Sequence, residues 1–458
     1  MKSFIWLSVI FFCICIFACG GSEEGSSEDI HASVEVTAAS NNRNVILIII
    51  DTLRADHLSC YGYRRFTSPS IDSLAAAGTM WTKAYAQAPW TLPAHATMWT
   101  GLTVRSHGTE IDALESQSES GYSKFLRMLD PELPALPVIL EQNGFSTYGI
   151  ANTVILGEEF GFDVGFQRYH CNPDGNGMAA SSVDTLIQWL TDNGDDRFFC
   201  MLHLFDVHSP YSPPVPYNSL FAENREAPVI DYWTVDEDSV LNPEDRDVLV
   251  SLYDGEIAWV DDNLRRLFGF LRNHGLSDET LIIVTSDHGE EFLEHGWINH
   301  GFTLHEEILH IPLVMAGPGI PAGAVDSTPV GQFDLPPTVL NWYDVDVSVD
   351  FEGMDILAET IPAERPIPAS GVNLMESLDS RHIASVILHD RKTILKRDLQ
   401  EMVSYDLEED PGEQIPVPAD SLGSEEVLYY WATPPRGFPE YSEESEEAHE
   451  TLMDLGYI

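Results

Sequence analysis

The sequence predicts an α/β sandwich with a mostly parallel central sheet, followed by a small antiparallel C-terminal subdomain. Three observations lead there. Four apolar runs, at residues 44–51, 197–206, 281–289 and 311–317, read as central strands buried on both faces. Helical stretches lie between them, at 136–143, 179–190 and the long amphipathic 244–273. Past residue 364 the texture changes: 384–388 and 393–396 flank His389-Asp390-Arg391-Lys392 as a hairpin, and a further strand covers 402–407.

Three of the central runs end in Asp or His: Asp51, Asp206 and the pair Asp287-His288. Open α/β sheets bind ligands beyond the carboxyl ends of their strands. One such Asp reads equally as a turn former or a helix N-cap, and three together point to a site. Carboxylates and imidazole suit a divalent cation, Zn²⁺ or Mn²⁺ being favoured by the imidazole and Ca²⁺ or Mg²⁺ by the carboxylates. In Trp90-Thr91-Leu92-Pro93-Ala94-His95-Ala96, Thr91 sits at an N-cap position and Pro93 in the first turn of a helix running to Thr100. On pattern alone Thr91 is either an ordinary cap or a hydroxyl activated by the positive helix end and a metal.

Residues 1–19 read as a secretory signal, with Lys2 and then an apolar run from 4 to 17 too short to span a bilayer. Ile16-Phe17-Ala18-Cys19-Gly20 resembles a bacterial lipobox, which predicts lipidation at Cys19 and an exported cell-envelope lipoprotein held to the membrane by that anchor. Residues 20–43 have the composition of a flexible tether. A catalytic domain is expected over 44–364 and the small subdomain and tail over 365–458. With Cys13, Cys15 and Cys19 assigned to the signal and lipid, Cys60, Cys171 and Cys200 allow at most one disulfide. Lys and Arg number 23 against 74 Asp and Glu, a formal charge of −51 that excludes nucleic acid as a partner. An anionic substrate must therefore be caught by a local cationic site of metal or histidine.

Ordered motifs along the chain resemble the sulfatase family of the alkaline phosphatase superfamily. They are Ile50-Asp51-Thr52-Leu53-Arg54 with Cys60-Tyr61-Gly62, the nucleophile region around Thr91, and Asp287-His288-Gly289-Glu290 with Glu294-His295-Gly296 and Glu306-Glu307. Tyr405-Asp406-Leu407, Asp410-Pro411 and Glu413, with Leu455-Gly456-Tyr457-Ile458, complete the series. The resemblance implies an alkaline-phosphatase-like fold and a divalent cation (Ca²⁺, Zn²⁺ or Mn²⁺) on Asp51, Thr91, Asp287 and His288. Thr91 is then the covalent nucleophile, and His208 and His300 are catalytic and substrate-binding. His300 lies where phosphoethanolamine transferases of the superfamily place a metal or substrate histidine.

Departures from the family pattern narrow the chemistry. Sulfatases oxidise a Cys or Ser at the nucleophile position to formylglycine and carry Arg four residues on; here stand Thr91 and, as a substrate-binding candidate, His95. The extra methyl of threonine rules out an aldehyde, so no formylglycine is expected. Thr52 replaces the usual second Asp, and Gly149-Ile150-Ala151-Asn152-Thr153 lacks the family's Lys and His. The expected activity is hydrolysis of sulfate or phosphate esters of a small molecule, glycan or lipid. The alternatives are a phosphoethanolamine-type transferase and a catalytically silent, glycan-binding surface lipoprotein. A second metal on Asp206, His208 and His300 is a further expectation.

Overall fold

The computed structural model describes residues 43–115, 122–126, 128–172, 175, 178–221, 243–358, 360–362, 364–372, 382–396, 401–418 and 421–432. The signal, Cys19, the tether to residue 42 and the motif at 455–458 lie outside these. Arg43 does not belong to a free tether: its guanidinium donates to the Trp342 carbonyl at 2.6 Å and lies over the Trp342 ring.

In chain order the strands are β1 Asn44–Ile50, β2 Thr79–Tyr85, the hairpin β3 Ile111–Glu115 and β4 Tyr122–Leu126, β5 Ser146–Ala151, β6 Arg168–Cys171, β7 Phe198–Leu204 and β8 Thr280–Thr285. There follow β9 Glu291–Phe292, β10 Ile298–Asn299, β11 His310–Ala316, β12 Ala324–Asp326, β13 Val330–Gly331, β14 Ile367–Val372, β15 His382–Leu388, β16 Arg391–Lys396 and β17 Glu401–Asp406. Helices are α1 Pro69–Ala77, α2 Thr91–Thr100, α3 Val104–His107, α4 Leu136–Gln142, α5 Ala179–Asn193, α6 Pro243–Asn273, α7 Glu306–Leu309, α8 Leu335–Trp342 and α9 Ser421–Ala432.

The main sheet runs β12-β2-β11-β8-β1-β7-β5-β6, with β13 also on β2. Every neighbouring pair is parallel except those made by β11, which runs antiparallel to both β2 and β8. β1 is central and wholly buried because its side chains alternate between two cores. Val45, Leu47 and Ile49 join α2, α4 and α8 on one face, while Ile46, Ile48 and Ile50 join α1, α5 and α6 on the other. An uninterrupted apolar run is what a strand covered on both faces requires. The separate antiparallel sheet β14-β15-β16-β17 puts Ile367, Ile383 and Ile387 into the first core and Ala384, Val386 and Leu395 against Val427 of α9. Among the described residues no disulfide forms: Cys60, Cys171 and Cys200 are free thiols.

Candidate active site

Parallel pairing brings the ends of β1, β7 and β8 to one edge, and the chemistry-bearing residues follow directly. Asp51 is the first residue after β1, and its amide donates to the Leu204 carbonyl of β7 at 2.9 Å. Thr52 then adopts φ 54°, a conformation that strains a β-branched residue and is characteristic of functional turns. In it, the Thr52 amide reaches Asp287 Oδ1 at 3.2 Å and its carbonyl accepts the Tyr253 hydroxyl at 2.7 Å. After β8, Gln332 Nε2 donates to the carbonyls of Ser286 (2.9 Å) and Asp287 (2.6 Å) and so fixes the turn. Gly289 must be glycine, since a Cβ there would lie 1.9 Å from the Glu307 carbonyl oxygen.

The nucleophile candidate sits one residue deeper in its helix than the sequence predicts. Trp90, extended at φ −156° and ψ 165°, is the N-cap, and Thr91 is the first residue of α2. Its side chain caps nothing and turns to the site: the hydroxyl donates to His288 Nε2 at 3.3 Å. That direction follows because His288 Nδ1 donates to the Gly289 carbonyl at 2.9 Å, leaving Nε2 with its lone pair. His95, one turn along α2, donates from Nδ1 to the Thr91 carbonyl at 3.0 Å and sits edge-on to Trp99, Phe162 and His203. It braces the turn that bears Thr91 and lies 3.8 Å from Asp287 Oδ2.

Asp51, Asp287 and His288 each offer a ligand atom within 4.8 Å of the others, and all three are fully buried. Asp51 Oδ1 and Asp287 Oδ2 have no hydrogen-bond partner. Burial and the charge of Asp287 push the Asp51 carboxyl well above the usual carboxylate range. Burial acts likewise on Asp287, but His288, His95 and His203 outweigh it and hold that carboxyl low. Two bare carboxylate oxygens and an imidazole lone pair, facing one another out of water, are the donor set that fits a divalent cation.

His208 and His300 stand beside this cluster, their rings 4.9 Å apart, with His300 4.4 Å from His288. Glu290 Oε1 accepts from His300 Nδ1 at 2.9 Å, and Glu290 Oε2 accepts the Tyr211 hydroxyl at 2.8 Å. His208 donates from Nδ1 to the Ser209 carbonyl at 2.6 Å and stacks on Phe205, with Nε2 buried and unpartnered. Burial and then His300 lower its pKa to about 3. Asp206 does not join them as a metal ligand. Its oxygens accept the Ala179 amide at the start of α5, at 3.1 and 3.0 Å, and Oδ1 also takes the Trp259 indole N–H at 2.9 Å. Its role is the ordinary one, capping a helix.

Sequence reasoning missed His203. The Asn152 amide can only donate, and it does so to His203 Nδ1 at 3.3 Å, so Nε2 carries the proton and donates to Asp51 Oδ2 at 3.2 Å. A histidine in the middle of the otherwise apolar β7 was the available signal, because a buried imidazole there needs a partner.

Comparisons with known proteins give the family and the reaction class. The sequence profile of the family described as Sulfatase matches residues 43–345. An arylsulfatase of Clostridium perfringens is 23% identical over 438 residues, covering 81% of this chain and 89% of its own. An N-acetylglucosamine-6-O-sulfatase of Bacteroides thetaiotaomicron is 24% identical over 470 residues, covering 81% of each. A phosphonate monoester hydrolase of Agrobacterium radiobacter superposes with a TM-score of 0.68 at 20% identity, covering 85% of this chain and 94% of that one. A protein solved with its substrate D-glucosamine-2-N,6-O-disulfate superposes at 0.69 and 19% identity, covering 91% and 99%. The Asp51–Asp287–His288 cluster at the carboxyl edge of a mostly parallel sheet thus belongs to a member of the sulfatase family, a hydrolase of sulfuric or phosphoric esters within the alkaline phosphatase superfamily.

Proposed function

We propose that the enzyme opens a sulfate or phosphate ester through a covalent ester on Thr91. The observation that carries this is the convergence of the unpartnered Asp51 Oδ1 and Asp287 Oδ2 with His288 Nε2, which accepts the Thr91 hydroxyl. Asp51, Thr91, Asp287 and His288 would hold a divalent cation (Zn²⁺, Mn²⁺ or Ca²⁺), which when bound supplies positive charge to the ester oxygens and lowers the pKa of the Thr91 hydroxyl.

Thr91 Oγ1 releases its proton to water and attacks the central phosphorus or sulfur, forming one bond as the bond to the leaving oxygen breaks. His208 or His300 gives that oxygen its proton. Water then attacks the same central atom, the Thr91 oxygen departs and takes back a proton, and the inorganic anion is released. Since threonine cannot form the formylglycine hydrate, the second step must be this attack, which proceeds more readily at phosphorus than at sulfur. A carbohydrate ester as substrate is supported by the glucosamine-directed relatives. Attachment to the bacterial cell envelope through Cys19 is supported by the lipobox, and lipid labelling that survives Cys19→Ser would remove that part.

Purified enzyme offered an aryl sulfate, a phosphate monoester, a phosphodiester and a phosphonate should turn over at least one, fastest for a phosphorus ester. Chelation should abolish turnover and added cation restore it. Activity on none of the four, or full activity after exhaustive chelation, would sink the reading.

A further inference from the structure

Seven buried polar atoms without a hydrogen-bond partner gather on five residues between 291 and 307. They are both carboxylate oxygens of Glu291, both amide atoms of Asn299, Glu307 Oε2, His295 Nε2 and Thr303 Oγ1. Native structures satisfy nearly all such groups, so this concentration calls for a cause.

The five share one place. β9 and β10 pair antiparallel with Asn299 opposite Glu291, and directly opposed residues send their side chains to the same face. Glu290 and His300, one position outward on each strand, meet on the active-site side at 2.9 Å. The hairpin therefore shows His300 to the site and Glu291 with Asn299 to the interior behind it. Glu307 Oε2 lies 3.5 Å from His295 Nε2. After burial, the Glu307 and Glu294 charges are what push the Glu291 carboxyl well above its usual range, which places Glu307 close by. Thr303 lies beside Glu291 and acts in the opposite direction without reaching hydrogen-bond geometry.

Among the described residues no cation reaches hydrogen-bond distance of Glu291, and the His295 imidazole faces Glu307. Arg54 is the near guanidinium, and its donors go to Asp56, Glu294 and the Glu290 carbonyl. Water can satisfy Asn299, but it does not offset a Glu291 carboxylate removed from solvent. We propose that the interior face of the β9–β10 hairpin is a second cation site, taking a hard divalent ion of the Ca²⁺ type through Glu291, Glu307 and Asn299 Oδ1, with the Thr303 hydroxyl at its edge. Oxygen donors of this mixture suit Ca²⁺. The His295 imidazole stands 3.5 Å from Glu307 Oε2, short of hydrogen-bond geometry. The ion would clamp the two short strands that carry Glu290 and His300, including Asn299 at φ 81°.

The test uses the full chain, stripped with chelator and titrated with Ca²⁺ alone, following calorimetry and melting temperature. A double variant, Asp51→Asn with Asp287→Asn, removes the active-site donors. One equivalent of Ca²⁺ should still bind to it and raise its melting temperature, as in the wild type. Glu291→Gln should lose this class and the rise that goes with it. Asn299→Asp adds a charged ligand and should tighten Ca²⁺ binding about tenfold; it also decides the matter if Glu291→Gln does not fold. Loss of all Ca²⁺ binding in the double variant, an unchanged Ca²⁺-dependent rise in Glu291→Gln, or weaker binding by Asn299→Asp would each overturn the proposal. None of these outcomes bears on Thr91.

Discussion

A neutral imidazole whose Nδ1 proton is held by a carbonyl acts only through Nε2, and His288, His208 and His95 are all fixed in that form. For His288 this leaves a metal-ligand lone pair. For His208 it means that the proton given to a leaving oxygen must first arrive at Nε2. His208→Gln should therefore slow alkyl esters about 10²–10⁴-fold while barely affecting esters of acidic phenols, measured as kcat for both series. Equal losses in both would remove the general acid. His203 carries its proton on the other nitrogen and presents it to Asp51 Oδ2, which leaves Oδ1 facing the metal site. His203→Leu should weaken cation binding about 10–100-fold by calorimetry, and His203→Gln should recover part of it; affinity equal to wild type in the Leu variant would show that His203 only fills space. Asp51, Asp287 and His288 stand out in the sequence as a candidate cluster because each follows a strand, whereas Thr91 is singled out only by the family resemblance. His203 does not stand out, since its meaning depends on which strand lies beside β7. Asp206 misleads for the complementary reason: an acid after a strand serves a helix start as readily as a metal.

At the scale of elements, β1, β7, β8 and β11 can be read directly because burial on both faces writes an unbroken apolar run. β2, with Thr79, Thr82 and Lys83, and β5, with Ser146, Thr147 and Gly149, lack that run and escape notice. The start of α2 is misjudged by one residue, since Thr91 has the composition of a cap while Trp90 has its backbone. Helix α6 carries a pH dependence of its own. Burial and then Asp206 raise Glu256 from 4.5 to about 9, and burial raises Asp206 and Asp261 from 3.8 to about 6. A raised folded-state value means that the stabilising contribution is full below the unfolded value and is lost as pH climbs through the folded one. The melting temperature should fall between about pH 4 and 9, through Asp206 and Asp261 up to about pH 6 and through Glu256 up to about pH 9. Glu256→Gln should flatten the upper part of that fall; an unchanged slope would contradict the assignment.

Across the whole molecule, apolar packing and a buried charge centre join the C-terminal sheet to the catalytic layers. Lys392 on β16 is fully buried, with Nζ 3.0 Å from Glu306 Oε1 and 3.2 Å from Glu413 Oε1. Glu413 also accepts from the Glu306 amide at 2.7 Å and from His305 Nδ1 at 3.0 Å. Removing the cation strands two acids, so Lys392→Met should cost about 3–5 kcal/mol in denaturant unfolding, where a surface pair would cost under about 1 kcal/mol. Sequence composition marks residues 365–458 as a different texture, but nothing in it says that Lys392 faces inward. The central claim, a covalent ester on Thr91, is tested most directly by rapid quench of the enzyme with its fastest ester, followed by protein mass and peptide mapping. The account predicts one phosphoryl or sulfuryl group on Thr91, with Thr91→Ala unlabelled and slowed at least about 10³-fold. Turnover by Thr91→Ala at the wild-type rate, with no adduct on the wild-type enzyme, would contradict it.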